Sequence, residues 1–256
     1  MTIQTTNHDL LNFALNAAWE AGRVTLGYYQ TQLTPDRKGD NTPVTVADEE
    51  AERKLRQLIQ AQYPEHGIMG EEFEPVTGNG RYTWVLDPID GTKSFVSGVP
   101  LYSTLVALLE EGEPLLGIIH MPVLNEMVYA LRGEGCYWNG RRAQTSAVDN
   151  LADARLLVSG LNYFGPKKAG WERLVKATYF QRTWGDAYGY ALVATGRAEI
   201  MLDPALAPWD AGPLRIIMEE AGGTFTDWQG QPLTLASEGV ATNGPLFEPV
   251  LALLKV

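Results

Sequence analysis

Thiol and imidazole groups are scarce in this chain of 256 residues, which carries one cysteine, Cys136, and three histidines, His8, His66 and His120. A lone cysteine cannot pair within the chain, so a disulfide framework is excluded, and no thiolate or imidazole cluster suggests zinc. Basic charge is short as well: 20 Lys and Arg stand against 31 Asp and Glu, a net charge of −11. That excess repels phosphate backbones and anionic lipid, so no nucleic-acid and no membrane partner is expected. No run approaches the roughly 18 apolar residues of a spanning helix. The N-terminal MTIQTTNHDL has neither the basic start nor the apolar stretch of a signal peptide, and the expectation is a cytoplasmic protein. The motifs G-x-S-x-G, G-x-x-x-x-G-K-[ST] and H-E-x-x-H are missing too, which removes the commonest hydrolase elbow, phosphate loop and zinc-protease helix. What is present, 45% hydrophobic and 20% charged residues, suffices for a substantial core in one large or two small domains.

Apolar residues at three- and four-residue spacing predict a helix from Asp9 to Tyr29, and a second from Asp48 to the region before Pro64, with residues 40–47 as its approach. Beyond Pro64 the chain reads as strands at Ile68-Met69, Trp84 to Leu86, Ser103 to Leu109, Leu115 to His120 and Met127 to Leu131. The second half alternates. Strands are expected at Arg155 to Val158, Tyr179 to Arg182 and Ala198 to Leu202. Helices are expected from Gly170, from Asp186 to Gly196, from Trp209 to Gly222 and from Pro245, with TFTDWQGQPL resembling a hairpin. Polar turn residues near 140–150 divide the chain into halves, 1–145 and 146–256.

The chemistry concentrates in WVLDPIDGTKSF, residues 84–95. A buried strand would end at Asp87, Pro88 extends it, and Gly91 permits a sharp turn into a short helix capped by Thr92. Two carboxylates then emerge together, and like charges so close call for a cation between them. Oxygen ligands alone select a hard ion, Mg²⁺ or Mn²⁺. DPIDG also suits a simple acidic turn. Further acids are Glu71-Glu72 after Gly70, Asp48 at one helix start and Asp210 at another, where dipole partnership is an equally ordinary role.

GEE at 70–72, DPIDGT at 87–92, WDAG at 209–212 and the VTVADEEAE segment together resemble the inositol-monophosphatase-like, metal-dependent phosphatases. The likeness spans nearly the whole chain and implies an α+β fold, the layered αβαβα sandwich. It also implies two to three Mg²⁺ ions, with Mn²⁺ as a substitute, held by Glu71, Asp87, Asp90, the Ile89 carbonyl and Asp210, with Glu72 toward a weaker third ion. Thr92, hydrogen-bonded to Asp48, would activate a water, and the backbone of Gly91 and Thr92 would hold phosphate. A homodimer is likewise implied.

Within this resemblance, Lys93-Ser94-Phe95 and Asp186 after Gly185 look like the members acting on histidinol phosphate rather than inositol phosphates. Its alcohol carries an ammonium and an imidazole, so Asp186 and Asp203 would accept charge-assisted hydrogen bonds, while Arg182 would approach the phosphate or orient Asp186. Asp186 also reads as a helix N-cap, and Asp203 as a turn residue before Pro204. The expected reaction is hydrolysis of a small-molecule phosphate ester. Inositol 1-phosphate or a sugar phosphate is the alternative substrate, and a non-catalytic cation-binding protein is the alternative of another class. Tyr188 and Tyr190 read as packing residues, Trp209 as a core aromatic, Cys136 as a small buried apolar residue, and His66 and His120 as neither acid nor base.

Overall fold

The computed structural model of the chain describes residues 5–31, 36–37 and 43–255, so residues 40–42 of the expected helix approach lie outside it. Helix α1 (Asn7–Tyr28) starts in a capping box in which the Thr6 hydroxyl accepts from Asp9 N at 3.2 Å and the Asp9 carboxylate accepts from Thr6 N at 2.9 Å. Strands β1 (Asp36–Arg37) and β2 (Pro43–Val44) pair antiparallel ahead of α2 (Val46–Gln62). The start of α2 is the same device with Thr45 as cap, and it places Asp48 in the first turn.

Seven strands form the larger sheet, in the order of the chain: β3 (Gly67–Gly70), β4 (Tyr82–Asp90), β5 (Ser103–Glu110), β6 (Glu113–Met121), β7 (Glu126–Leu131), β8 (Gly135–Trp138) and β9 (Arg141–Arg142). Only β3 and β4 run parallel within it; the rest are antiparallel. The short α3 (Thr92–Val96) follows β4. The second sheet has the order β11-β10-β12-β14-β13, built from β10 (Arg155–Val158), β11 (Phe180–Arg182), β12 (Ile200–Asp203), β13 (Thr224–Thr226) and β14 (Gly239–Thr242).

Period-two alternation sends alternate side chains to opposite faces and so explains the layers. On β4, Trp84 and Leu86 join the core beneath α1 and α2, while Val85 faces the other way, toward Trp209. Between the sheets lie α5 (Asp186–Ala194) and α7 (Leu214–Glu220), whose Tyr190, Ala191, Leu214 and Ile217 share one core with Leu105, Ile119, Met201 and Phe225 of the flanking strands. Outside the second sheet, α4 (Lys168–Ala177) and α8 (Phe247–Leu254) cover Leu156, Ile200 and Val240. The stack reads helices, sheet, helices, sheet, helices, which is the expected αβαβα sandwich. The first sheet ends at Arg142 and the second begins at Arg155, yet the central core draws on both.

Two local expectations are corrected. The single helix from Trp209 to Gly222 is two, α6 (Pro208–Ala211) and α7, broken at Gly212-Pro213 because proline has no N–H for a helical ladder. TFTDWQGQPL is not a hairpin: β13 pairs with β14, while Asp227 closes a turn by accepting from Gln229 N and Gln231 N at 2.8 and 2.7 Å. No helix among the described residues is long and apolar enough to cross a membrane.

Candidate active site

Asp87 and Asp90 are three residues apart on one strand, and in a regular strand they would face opposite ways. The β4–β5 register shifts between them: Asp87 pairs with Leu105 but Asp90 with Ser103, so three steps on β4 match two on β5. This extra residue is a bulge, and it turns both carboxylates to the same side. Gly91 then takes φ +82°, a left-handed conformation open to glycine at little cost, and α3 begins. Gly91, not Thr92, is the cap position of α3.

Asp210 reaches the pair from the other direction. Its carboxylate caps α6 by accepting from Ala207 N at 2.9 Å, and the following Gly212 lies so close to β4 that an added Cβ would meet Val85 Cγ1 at 2.9 Å. Carboxylate oxygens of Asp87, Asp90 and Asp210 lie within 4.8 Å of one another, a geometry able to hold a metal ion. Glu71 lines the same cavity, of about 200 Å³, together with Ile89, Gly91, Thr92, Lys93 and Asp186. Beside it a second cavity of about 240 Å³ shares Asp90, Lys93, Asp186 and Asp210, and adds Asp203, Tyr190, Tyr163 and the apolar Leu105, Leu206 and Leu214.

Burial and mutual repulsion act on these acids together. Asp87 and Asp90 are raised well above the usual carboxylate range, first by burial. Glu71, Asp210 and Asp90 add to Asp87, and Asp186 and Asp210 add to Asp90. Burial is the leading cause at Asp210 and Asp186 too, each pushed up to about 6, with Lys93 offsetting part of the rise at Asp186. Lys93 is the one cation among the residues lining the two cavities. An acidic set this concentrated, made of oxygen donors alone, fits a hard divalent cation, which would replace repulsion by attraction.

The remaining expected residues separate into those near this centre and those away from it. Asp186 belongs to it: its Oδ2 would lie 2.9 Å from a Cβ built on Gly91, so the DPIDG turn has room only because residue 91 lacks a side chain. Asp186 has φ +53° and opens α5, and Gly185 rather than Asp186 is the cap position. Strained non-glycine backbone of this kind is typical of functional positions. Asp203 ends β12, buried, and accepts from Tyr190 Oη at 3.2 Å. Asp48 is buried at the start of α2 with its pKa pushed up to about 6, largely by burial and in part by Glu71.

The expected Thr92–Asp48 hydrogen bond is corrected. The Thr92 hydroxyl donates to Ile89 O at 3.2 Å, and Asp48 Oδ2 accepts from Thr45 N and Oγ1 at 2.8 and 2.6 Å, because capping α2 claims it. Glu72 does not line either cavity; its N–H donates to the buried Glu52 at 2.8 Å, and Arg56 ties Glu52 to the Phe73 and Glu74 carbonyls. Arg182 is also away from the centre. It sits exposed on the edge strand β11, donating to Gln181 O at 2.8 Å with its guanidinium over Phe180.

Five residues belong to the site that sequence reasoning did not place there, Tyr190 having been read as packing alone. Ser103 Oγ donates to Asp90 at 3.1 Å, as does Ala187 N at 2.6 Å, so strand and helix together fix that carboxylate. Ser159 Oγ accepts from Asp186 N at 2.9 Å. Tyr190 touches Asp203, and Tyr163 stands at the cavity wall. Ser159 follows the end of a strand inside a parallel set, the customary place for a site, and that was the available signal.

Comparison with known proteins decides the family. The model of the inositol monophosphatase family matches residues 6–253. The chain belongs to that family. A histidinol-phosphatase of Chlorobaculum parvum is 41% identical over 247 residues, 94% of this chain and 95% of that protein. One of Mycobacterium tuberculosis is 36% identical over 263 residues, 97% and 98% of the two chains. Among solved structures, the extragenic suppressor protein suhB of Bartonella henselae superposes with a TM-score of 0.91 at 28% identity, covering 96% of this chain and 98% of that one. This member of the inositol monophosphatase family is a phosphatase, a phosphoric monoester hydrolase.

Proposed function

We propose that the enzyme hydrolyses histidinol phosphate to histidinol and phosphate. The observation that carries this reading is the cavity of about 240 Å³ beside the acidic centre, where the half-buried Asp186 and the buried Asp203 face the space left for the alcohol. A cationic alcohol gains charge-assisted hydrogen bonds there, whereas a neutral polyol would leave the carboxylates desolvated without a counter-charge. The two histidinol-phosphatases over 35% identical to the chain support the same choice.

In this reading Asp87, Asp90, Asp210, Glu71 and the Ile89 carbonyl hold divalent cations, Mg²⁺ in the first instance, with Glu72 serving a weaker one. Such cations, when bound, supply Lewis acidity toward water and the phosphoryl oxygens. Backbone N–H groups of Gly91 and Thr92 and the Lys93 ammonium orient the phosphate. Asp48 receives the proton of the attacking water by way of the Thr92 hydroxyl, once that hydroxyl has left Ile89 O. A carboxyl pushed up to about 6 is still ionised at neutral pH and is a stronger base than an ordinary aspartate. Asp186 and Asp203 bind the leaving alcohol through its ammonium and imidazole. Arg182 lies outside this scheme.

A phosphate-release assay with Mg²⁺ tests the assignment. Histidinol phosphate is expected to be hydrolysed with a higher kcat/KM than inositol 1-phosphate. Faster release from inositol 1-phosphate overturns the choice of substrate while leaving the phosphatase itself in place.

A further inference from the structure

Tyr163 stands in the loop between β10 and α4 and is 52% exposed, an unusual position for an aromatic side chain to be held from three directions. The next residue, Phe164, is buried and stacked on Trp171, with ring centroids 4.7 Å apart, which anchors the loop to the outer core. Tyr163 itself turns the other way, into the wall of the leaving-group cavity. Its ring lies over Gly160, where an added Cβ would meet Cδ2 and Cε2 at 2.7 Å. Its hydroxyl accepts from Lys93 Nζ at 2.6 Å, and the same ammonium lies 5.3 Å from the ring centroid. Lys93 comes from the first turn after the DPIDG bulge, so this contact joins the loop to the reaction centre, beside the one Ser159 makes with Asp186 N.

We propose that Tyr163 is a specificity-determining residue whose ring forms a stacking wall for a planar leaving group, held in place by Lys93 and by the absence of a side chain at Gly160. The inference rests on the reading of the 240 Å³ cavity as the leaving-group pocket. The carboxyls Asp186 and Asp203 recognise charge but not flatness, and an alcohol with a heteroaromatic ring has a face to cover. The half-exposed tyrosine ring offers one, and aromatic pairs are favourable beyond the area they bury.

Binding of benzylphosphonate and butylphosphonate to the Mg²⁺-loaded enzyme, measured by competition, isolates this contact without requiring turnover. Tyr163→Ala is expected to weaken benzylphosphonate roughly fivefold to tenfold and to leave butylphosphonate within about twofold, the difference expected of one aromatic pair. Tyr163→Phe keeps the ring and is expected to stay within about twofold for both. Gly160→Ala, which displaces the ring without removing it, should reproduce the Tyr163→Ala pattern, and thermal unfolding of each variant checks the fold. Equal effects on the two phosphonates, or none on either, overturn the proposal. The KM of histidinol phosphate, measured on the same variants, separates the two readings. If the parent rejects histidinol phosphate but the benzyl contrast persists, the substrate assignment falls and the stacking role stands. If the parent hydrolyses it and Tyr163→Ala leaves its KM unchanged, the stacking role falls alone.

Discussion

At the scale of single residues, Asp90 is held from two elements: it accepts from Ser103 Oγ and Ala187 N and approaches Asp87 and Asp210. Asp90→Asn preserves shape and removes charge. It is therefore expected to lower kcat at least about a hundredfold and to weaken Mn²⁺ binding, read by calorimetry, while the unfolding midpoint moves little. Asp186 is expected to act differently. Asp186→Ser should leave Mn²⁺ affinity within about threefold and cut kcat/KM for histidinol phosphate about tenfold or more, with inositol 1-phosphate affected far less, since one charge-assisted hydrogen bond is worth roughly 1.5 to 3 kcal/mol. Equal losses on both esters would remove its specificity role. The acids that the structure brings together, Asp87, Asp90 and Asp210, were legible as residues because DPIDGT and WDAG are compact strings whose chemistry is local. Ser103, Ser159 and Tyr163 were not: each touches a partner at least 13 positions away, and nothing in the residue itself announces that contact.

At the scale of elements, the site depends on how closely α6 approaches β4. Gly212→Val would force a branched side chain into Val85 and Ala107. It is expected to cost about 1 to 3 kcal/mol, seen as a lower urea midpoint, and to weaken metal binding by displacing Asp210. On the opposite side, Glu52 is fully buried and pairs with Arg56, and together they hold the turn that carries Glu71 and Glu72. Glu52→Ala leaves Arg56 without its carboxylate and is expected to destabilise by about 3 kcal/mol, again with weaker Mn²⁺ binding. Periodicity revealed most elements, since Trp84 to Leu86 and the amphipathic α1 and α2 follow simple spacing. It missed the break at Gly212-Pro213, where small and apolar residues continue a helical pattern that proline interrupts. It also read TFTDWQGQPL as a hairpin, whereas the partner of β13 arrives from residues 239–242. The β4 bulge that aligns Asp87 with Asp90 leaves no trace in periodicity, because it is set by pairing with β5.

At the scale of the whole molecule, the acidic centre unites the two sheets at a cost in repulsion, and pH exposes that cost. Burial raises Asp87, Asp90 and Asp203 well above the usual carboxylate value of 3.8 and pushes Asp48, Asp186 and Asp210 up to about 6, so above that usual value the folded protein without metal binds more protons than the unfolded chain. Stability then falls with rising pH. His66 and His120, whose pKa values burial lowers from 6.5, act in the opposite sense, but only below about that pH. Between pH 5 and 6.5 the six raised carboxyls outnumber the two histidines, so the metal-free enzyme is expected to lose several degrees in Tm, and Mg²⁺ should restore them with release of protons. A Tm that rises over this interval in chelator would contradict the account. The layered architecture was legible because alternating strands and amphipathic helices leave few ways to stack, whereas the exposed setting of Arg182 follows from the strand order, which places β11 at the sheet edge. One measurement bears on the proposed chemistry as a whole: a crystal structure of the enzyme with Mn²⁺, phosphate and histidinol, with anomalous data. Manganese is predicted among Asp87, Asp90 and Asp210, with phosphate beside Gly91 and Thr92 and the histidinol ammonium hydrogen-bonded to Asp186 or Asp203. Manganese elsewhere, or a histidinol that turns its ammonium away from both carboxylates, would contradict it.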